Sequence, residues 1–422
     1  MLLQFLVSNY GSIKNEVLFS MVPSQDKEHP ENILTDGRYK ANSLAAIYGA
    51  NASGKSSLFR AMTNAIIFIR SSNIIQVGQK IPVVPFRFCD NYLSIPTKYE
   101  FTFVAEDSKK YVYGFSATTE RIIEEYLYVY NSSKPSMLFE RKEDEYKFPR
   151  SQKKNLQPLI RMNTGNKLFL STATAWNAEC TAVPYKWFAE MIDTQTSTDT
   201  LQMEALEEYR TNKEENISFV KKLMRQADIN ITDVEVETED VTGNDQPLPG
   251  ISLGGIVINN QIIKPQVSYK TKIMTGHRIT EKDGGEKEYV LPLQEESLGT
   301  IQLFYFAPFL KKTLEAGKVL VIDEIDKSLH PYIVRFLVNL FRNKEVNRNG
   351  AQLIFTTHDT TLLSLDIFRR DQIYFTEKDA ETGISDLYSL DDYSVRKDEN
   401  IEKGYLLGRY GAIPYLQTEE IV

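Results

Sequence analysis

The run Gly49-Ala50-Asn51-Ala52-Ser53-Gly54-Lys55-Ser56 constrains this chain more than any other stretch. It follows directly on a short apolar segment, Ser43–Tyr48. It opens a run in which Leu58, Met62, Ile66 and Ile69 share one face at helical spacing. A strand that turns through a glycine-rich loop into a helix aims successive backbone N–H groups at the helix N-terminus, where an anion is favoured. Gly49 and Gly54 supply the freedom for the curl. Lys55 would reach the β- and γ-phosphates of a nucleotide, the Ser56 hydroxyl would hold Mg²⁺, and Ser57 closes the binding run. A chance match on a surface turn is the competing reading, and the strand–loop–helix context weighs against it.

Such a loop calls for an apolar strand ending in an acidic residue, and Val319-Leu320-Val321-Ile322-Asp323-Glu324 supplies one. Asp323 would hold Mg²⁺ through water, and Glu324 would polarise the attacking water as general base. His358 ends the next apolar run, Leu353–Thr357, at what would be the carboxyl edge of a parallel sheet and within reach of a γ-phosphate. A single histidine at a strand end more often serves structure. Upstream, Ser297 and Gly299 open a helix and form a second anion site; a helix cap by Ser297 is the plainer reading.

Patterning elsewhere fills in the frame. Residues 2–8 and 17–21 read as an opening hairpin, followed by a polar segment over 23–42. Residues 97–130 alternate aromatic and polar side chains, the mark of antiparallel strands. Helical patterns occupy 182–226, an acidic, turn-rich stretch at 237–250 reads as a surface loop, and 282–285 reads as a hairpin tip. After 290 the chain alternates helix (301–317), strand (318–326), helix (331–343) and strand (351–359), which implies parallel βα units. The expected fold is therefore α/β, with an antiparallel β subdomain. A lobe over 1–130 carries the glycine-rich loop, a mostly helical, mixed insertion over 131–290 is the candidate for partner binding, and a second lobe covers 291–422.

Composition narrows the function. The 49 Lys and Arg against 57 Asp and Glu give a net charge of −8, a poor balance for gripping nucleic acid non-specifically. Cys89 and Cys180 are the only cysteines and His29, His277, His330 and His358 are scattered, so neither a disulfide framework nor a zinc hydrolase is expected. The N-terminus lacks a basic lead and a cleavage site, and no run approaches the ~20 apolar residues of a membrane span. A cytoplasmic protein with no membrane partner is expected.

Taken in order, these pieces resemble the ATP-binding-cassette-like heads of the RecF/SMC class of AAA-type ATPases. The resemblance implies a P-loop NTPase head with ATP and Mg²⁺ as cofactors. Gly49–Ser56 would be its Walker A loop, Val319–Glu324 its Walker B strand, Ser297-Leu298-Gly299-Thr300 a degenerate signature, Asp326 part of a D-loop, and His358 the switch histidine. In that class the signature helix of one subunit completes the nucleotide site of another, so a head-to-tail homo-oligomer is implied. The chain departs from the class in two places. The signature lacks the Leu-Ser-Gly-Gly run of transporters, and the glutamine of the loop after the first helix is not identifiable, Gln76 and Gln79 lying nearest.

Further segments are similar to the bacterial RloA/AbiL-type ATPases of phage-defence operons. They are Asn9-Tyr10-Gly11-Ser12, Arg369–Phe375, Lys403-Gly404-Tyr405 and Gly408-Arg409-Tyr410-Gly411-Ala412-Ile413-Pro414. That likeness implies an operon-encoded, RloB-like effector nuclease as partner. Two other functions compete with this one. A nuclease within the chain is disfavoured, because about 64 residues follow His358, against ~100–150 for a typical domain. Asp391, Asp392, Asp398 and Glu399 read as a solvated turn. RecF-like DNA contact would use Arg141, Lys142, Lys147, Arg150, Lys153 and Lys154, interleaved with Tyr146 and Phe148.

Overall fold

The computed structural model describes residues 1–195, 198–240, 256–258, 261–263, 269–282 and 284–414. The chain packs as two units: Met1–Thr196 with Leu314–Ile325 and Leu337–Val422, and Ser197–Thr313 with Asp326–Phe336.

In the first unit the chain runs through β1 (Leu2–Ser8), β2 (Val17–Ser20), β3 (Ile33–Asp36), β4 (Tyr39–Asn42), β5 (Leu44–Tyr48) and helix α1 (Lys55–Ser71). It continues with β6 (Thr97–Val104), β7 (Lys110–Ala117), β8 (Ile122–Tyr130), β9 (Ser136–Lys142) and β10 (Glu145–Lys147). Helices α2 (Arg150–Leu156), α3 (Phe169–Ala175) and α4 (Glu179–Glu190) then lead to β11 (Ile192–Gln195). The second unit adds α5 (Thr198–Thr211), α6 (Lys213–Gln226), β12 (Asp233–Asp240), β13 (Ile256–Ile258), β14 (Gln261–Ile263), β15 (Tyr269–Thr280) and β16 (Glu286–Pro292). Two helices, α7 (Leu298–Ala316) and α8 (Pro331–Arg342), contribute residues to both units. Between and after them the first unit gains β17 (Val319–Ile322), β18 (Gln352–Thr356), β19 (Ile373–Lys378), β20 (Ser385–Ser389) and α9 (Ile401–Leu406).

Two sheets organise the first unit. One is antiparallel, in the order β10-β9-β8-β7-β6-β1-β2. The other runs β11-β17-β18-β5-β19-β20 and is parallel except for its last strand. β5, β17 and β18 are buried along their whole length, as expected of strands covered on both faces. Helix α1 sends Leu58, Phe59, Met62, Ile66 and Ile69 into a core shared with Phe5, Phe101 and Phe115 of the antiparallel sheet.

The packing boundary falls at 196 rather than at the expected 130. The reason is local: β9 and β10 extend the antiparallel sheet, and α3 and α4 bury Phe169, Trp187 and Phe188 in the core that α1 enters. The polar segment over 23–42 also holds a hairpin, β3–β4, that polarity concealed. In the second unit α5 and α6 accompany the three-stranded sheet β12-β15-β16, and Tyr209 stacks on Phe304 with ring centroids 4.5 Å apart. β15 and β16 pair antiparallel, with Thr280 opposite Glu286, and the hairpin tip expected between them at 282–285 includes residue 283, which lies outside the described residues. Most of the expected loop at 237–250 lies outside the described residues; its first part, to Asp240, belongs to β12.

One charged residue of the expected basic surface is not at the surface. Arg141 is buried on β9, its side chain 3.6 Å from the equally buried Glu125, and its guanidinium donates to the carbonyls of Glu143 (2.7 Å) and Lys167 (2.6 Å). Tyr146 and Phe148 pack around Phe169 instead of standing free between cations. Lys147 pairs with Glu140. The basic, aromatic-interleaved face read from the sequence is thus broken up by folding. Among the described residues, no helix is long and apolar enough to cross a membrane.

Candidate functional site

Strand order decides what meets at the sheet edge. β18 lies between β17 and β5, with Ile322 opposite Phe355 and Thr356 opposite Ile47. The carboxyl ends of all three strands therefore bring Gly49–Ser57, Asp323–Glu324 and His358 to one edge, the place where an open α/β sheet binds its ligand.

The loop is sharply curled. Gly49 (φ 155°) and Gly54 (φ 119°) adopt backbone angles that favour glycine, and Ala52 is held at φ 64°, a conformation costly for a residue with a Cβ. The Lys55 ammonium is buried within the loop and donates to the carbonyls of Gly49 (2.6 Å) and Ala50 (3.0 Å). Asn51 and Ala52 are exposed, while Ser56 and Ser57 stand half-buried at the start of α1.

Asp323 and Glu324 are fixed by a residue that the motifs did not mark. The Thr356 hydroxyl donates to Asp323 Oδ1 and accepts from the Glu324 amide, both at 2.7 Å. Glu324 itself takes the left-handed conformation at φ 56°, which turns the chain sharply out of β17. His358 stands exposed just beyond β18. On the far side of the loop the Thr376 hydroxyl lies 2.6 Å from that of Ser53. A cavity of about 980 Å³ opens beside Ala50–Ser53, walled in part by Lys14, Phe88, Thr382 and Ile413.

Other expected residues fall elsewhere. Ser297, Gly299 and Asp326 belong to the second unit. There the Ser297 hydroxyl accepts from the Thr300 amide at 3.2 Å, as a helix cap would, and a Cβ on Gly299 would come within 2.8 Å of the Ser328 carbonyl. Gln76 and Gln79 lie in one turn whose two carbonyls accept from Asn166, at 2.9 Å each. The Asp392 carboxylate accepts from the Ser389 amide at 2.9 Å, the Asp391 amide donates to the Ser389 hydroxyl at 3.1 Å, and Glu399 accepts from the Tyr410 hydroxyl at 3.0 Å. Among the described residues, no group of three or more His, Cys, Asp or Glu is placed to hold a metal ion.

Residues 44–177 and 194–364, which include the loop, β17, β18 and the Ser297 segment, match the family described as "AAA domain, putative AbiEii toxin, Type IV TA system". This chain belongs to that AAA family. As an AAA domain, its α/β architecture is that of a P-loop NTPase, with the loop between β5 and α1. Solved structures similar to this AAA protein include an SMC head bound to the C-terminal winged-helix domain of ScpA, at 12% identity and a TM-score of 0.41, covering 92% of this chain and 97% of that one. The recombination mediator RecF with ATP is similar at 15% identity and a TM-score of 0.39, covering 92% and 97%. The cbiO1 component of a Clostridium perfringens ABC transporter is similar at 11% and 0.32, covering 96% and 94%. These likenesses are too distant to bear on function. No curated protein matches the AAA chain.

The oxygens available at the edge, the Ser56 hydroxyl and the Asp323 carboxylate, are hard ligands of the kind Mg²⁺ takes, usually few in number and completed by nucleotide phosphate and water.

Proposed function

We propose that this AAA protein binds and hydrolyses ATP with Mg²⁺ and uses head-to-tail dimerisation around the nucleotide to control a partner effector. The observation that carries the reading is the convergence of the glycine-rich loop, Asp323–Glu324 and His358 on one sheet edge. Backbone amides of Gly49–Ser57 and the Lys55 ammonium would hold the phosphates. In holding Lys55, the loop carbonyls stand where phosphate oxygens would take over its hydrogen bonds. Ser56 and Asp323 would hold Mg²⁺, which when bound neutralises phosphate charge. Glu324 would take the proton of the attacking water, and His358 would contact the γ-phosphate. Ser297 and Gly299 at the start of α7, with Asp326, would close the site of a second copy. The cavity beside Ala50–Ser53 has the size of a small-molecule site.

The finer assignment, a regulator of the RloA/AbiL type acting in the cytoplasm on an RloB-like nuclease in phage defence, draws on the sequence likeness of Arg369–Phe375 and Gly408–Pro414. Co-purification with the product of the neighbouring reading frame tests it; a chain that purifies alone from cells expressing both would overturn it. RecF-like DNA contact draws less support, since Arg141, Tyr146 and Phe148 face inward.

Lys55→Ala tests the core of the reading. A hydrogen bond to a charged group contributes about 1.5–3 kcal/mol, so ATP affinity should fall by roughly 10- to 100-fold by calorimetry. Unchanged affinity would remove Lys55, and with it the loop, from the nucleotide site.

A further inference from the structure

The loop is braced from the side opposite Asp323 and Glu324. β19 and β20 lie across β5 from β17 and β18. Thr376 on β19 is buried, with its hydroxyl 2.6 Å from Ser53 Oγ and donating to the Tyr48 carbonyl at 3.4 Å. Ser385 on β20 is also buried; its amide donates to the Ser12 carbonyl and its hydroxyl to Ser12 Oγ, both at 2.8 Å. Ser12 Oγ in turn donates to Ser57 Oγ at 3.0 Å. A chain of three hydroxyls thus runs from β20 to the first turn of α1.

The glycines record how close this brace sits. A Cβ on Gly49 would come within 2.5 Å of the Thr376 carbonyl and 2.6 Å of its hydroxyl. On Gly54 it would come within 2.5 Å of Ser385 Oγ. Both glycines of the loop therefore press directly on the two hydroxyl residues of a strand pair more than three hundred positions later in the chain. Packing alone does not call for this chemistry, because valine and alanine would fill the same space. What hydroxyls add is direction: Thr376 fixes the rotamer of Ser53, Ser385 fixes that of Ser12 and through it Ser57, and so both fix the curl of the backbone that carries the loop serines.

We propose that Thr376 and Ser385 are positioning residues for phosphate binding, Thr376 acting through Ser53 and Ser385 through Ser12 and Ser57. Resting on the ATP reading above, the inference concerns the shape of the loop before nucleotide arrives. A loop already curled binds phosphate without first being ordered, so loss of the brace appears in affinity rather than in the chemical step.

The test uses the full chain with Thr376→Val, Thr376→Ser and Ser385→Ala, and ATP with Mg²⁺ as the probe. Thr376→Val should raise both the Kd and the KM for ATP about tenfold while kcat stays within about twofold. Ser385→Ala should raise them by a smaller factor of about three to five, and Thr376→Ser should restore wild-type values. If Thr376→Val lowers the nucleotide-free melting temperature by more than about 10 °C, Ser385→Ala carries the test, since it removes one oxygen and opens no clash. Variants that bind ATP as tightly as wild type, while wild type itself binds it, overturn this inference alone. A wild-type chain that binds no ATP overturns the ATP reading and this inference with it.

Discussion

Replacing Glu324 with Gln is expected to cut ATP turnover by about 10²- to 10⁴-fold, the contribution typical of a positioned general base. Affinity for ATP should stay within about threefold. The separation follows from how the residue is held. Its backbone is fixed by the amide bond to the Thr356 hydroxyl and by the Ile325 amide donating to the Thr356 carbonyl at 3.1 Å, neither of which involves the side chain. Glutamine has nearly the same shape, can occupy the same left-handed backbone, and lacks only the ability to accept the water's proton. Hydrolysis measured by phosphate release, together with the nucleotide-dependent dimer fraction from light scattering, reads both consequences. Turnover at the wild-type rate would remove Glu324 from the role proposed for it. A loss of turnover matched by an equal loss of affinity would place it in binding instead.

The second large effect is on stability. Arg141→Met is expected to destabilise the first unit by about 3–5 kcal/mol, the loss typical when one partner of a buried ion pair is removed. Neither side chain of the Arg141–Glu125 pair is exposed. Glu125 accepts from the amides of Phe169 (2.7 Å) and Leu170 (2.9 Å) and from the Tyr113 hydroxyl (3.0 Å). Burial nonetheless pushes its carboxyl above the ordinary value, and Arg141 is the largest influence holding it down. Without Arg141 the carboxyl rises further. A group whose folded pKa lies above its unfolded one takes up its proton on folding, so the unfavourable term grows as pH rises above the unfolded carboxylate range and fades below it. The gap between variant and wild type should therefore be widest near pH 8 and should narrow toward pH 4–5. Urea unfolding followed by tryptophan fluorescence measures it in the right unit, because the chain's 2 tryptophans, Trp176 and Trp187, both lie there. A gap that stays constant with pH would contradict the electrostatic account.

How legible these features were depended on whether they leave a period or a motif. β5, β17 and β18 could be read because a strand covered on both faces is an unbroken apolar run, and the loop could be read because glycine, lysine and serine are needed at fixed spacing. Arg141 was misplaced by counting charges along the chain. The alternation of β9, which puts Phe139 and Arg141 on the same buried face, was the signal that could have located it. β11 leaves no apolar run because Ile192–Gln195 is a short strand at the edge of its sheet in which three of four residues, Asp193, Thr194 and Gln195, are polar. Thr356, Thr376 and Ser385 left no signal. Hydroxyl residues fit strands, turns and caps alike, and their partners lie tens to hundreds of positions away, so only the folded chain reveals what they hold.

The parallel sheet also sets a timetable. β5 finds its two neighbours only in β18 and β19, with Leu44 opposite Leu353 and Ala46 opposite Ile373. At about 5–20 residues per second, a ribosome needs roughly 15–60 s to deliver the ~300 intervening residues. Over that interval an apolar strand that leads straight into the glycine-rich loop has no sheet to join. The site therefore forms among the last features of the nascent chain. A transcript or protein truncated ahead of residue 352 would yield a sticky, edge-exposed fragment rather than a weak enzyme, so chaperone demand is written into the strand order itself.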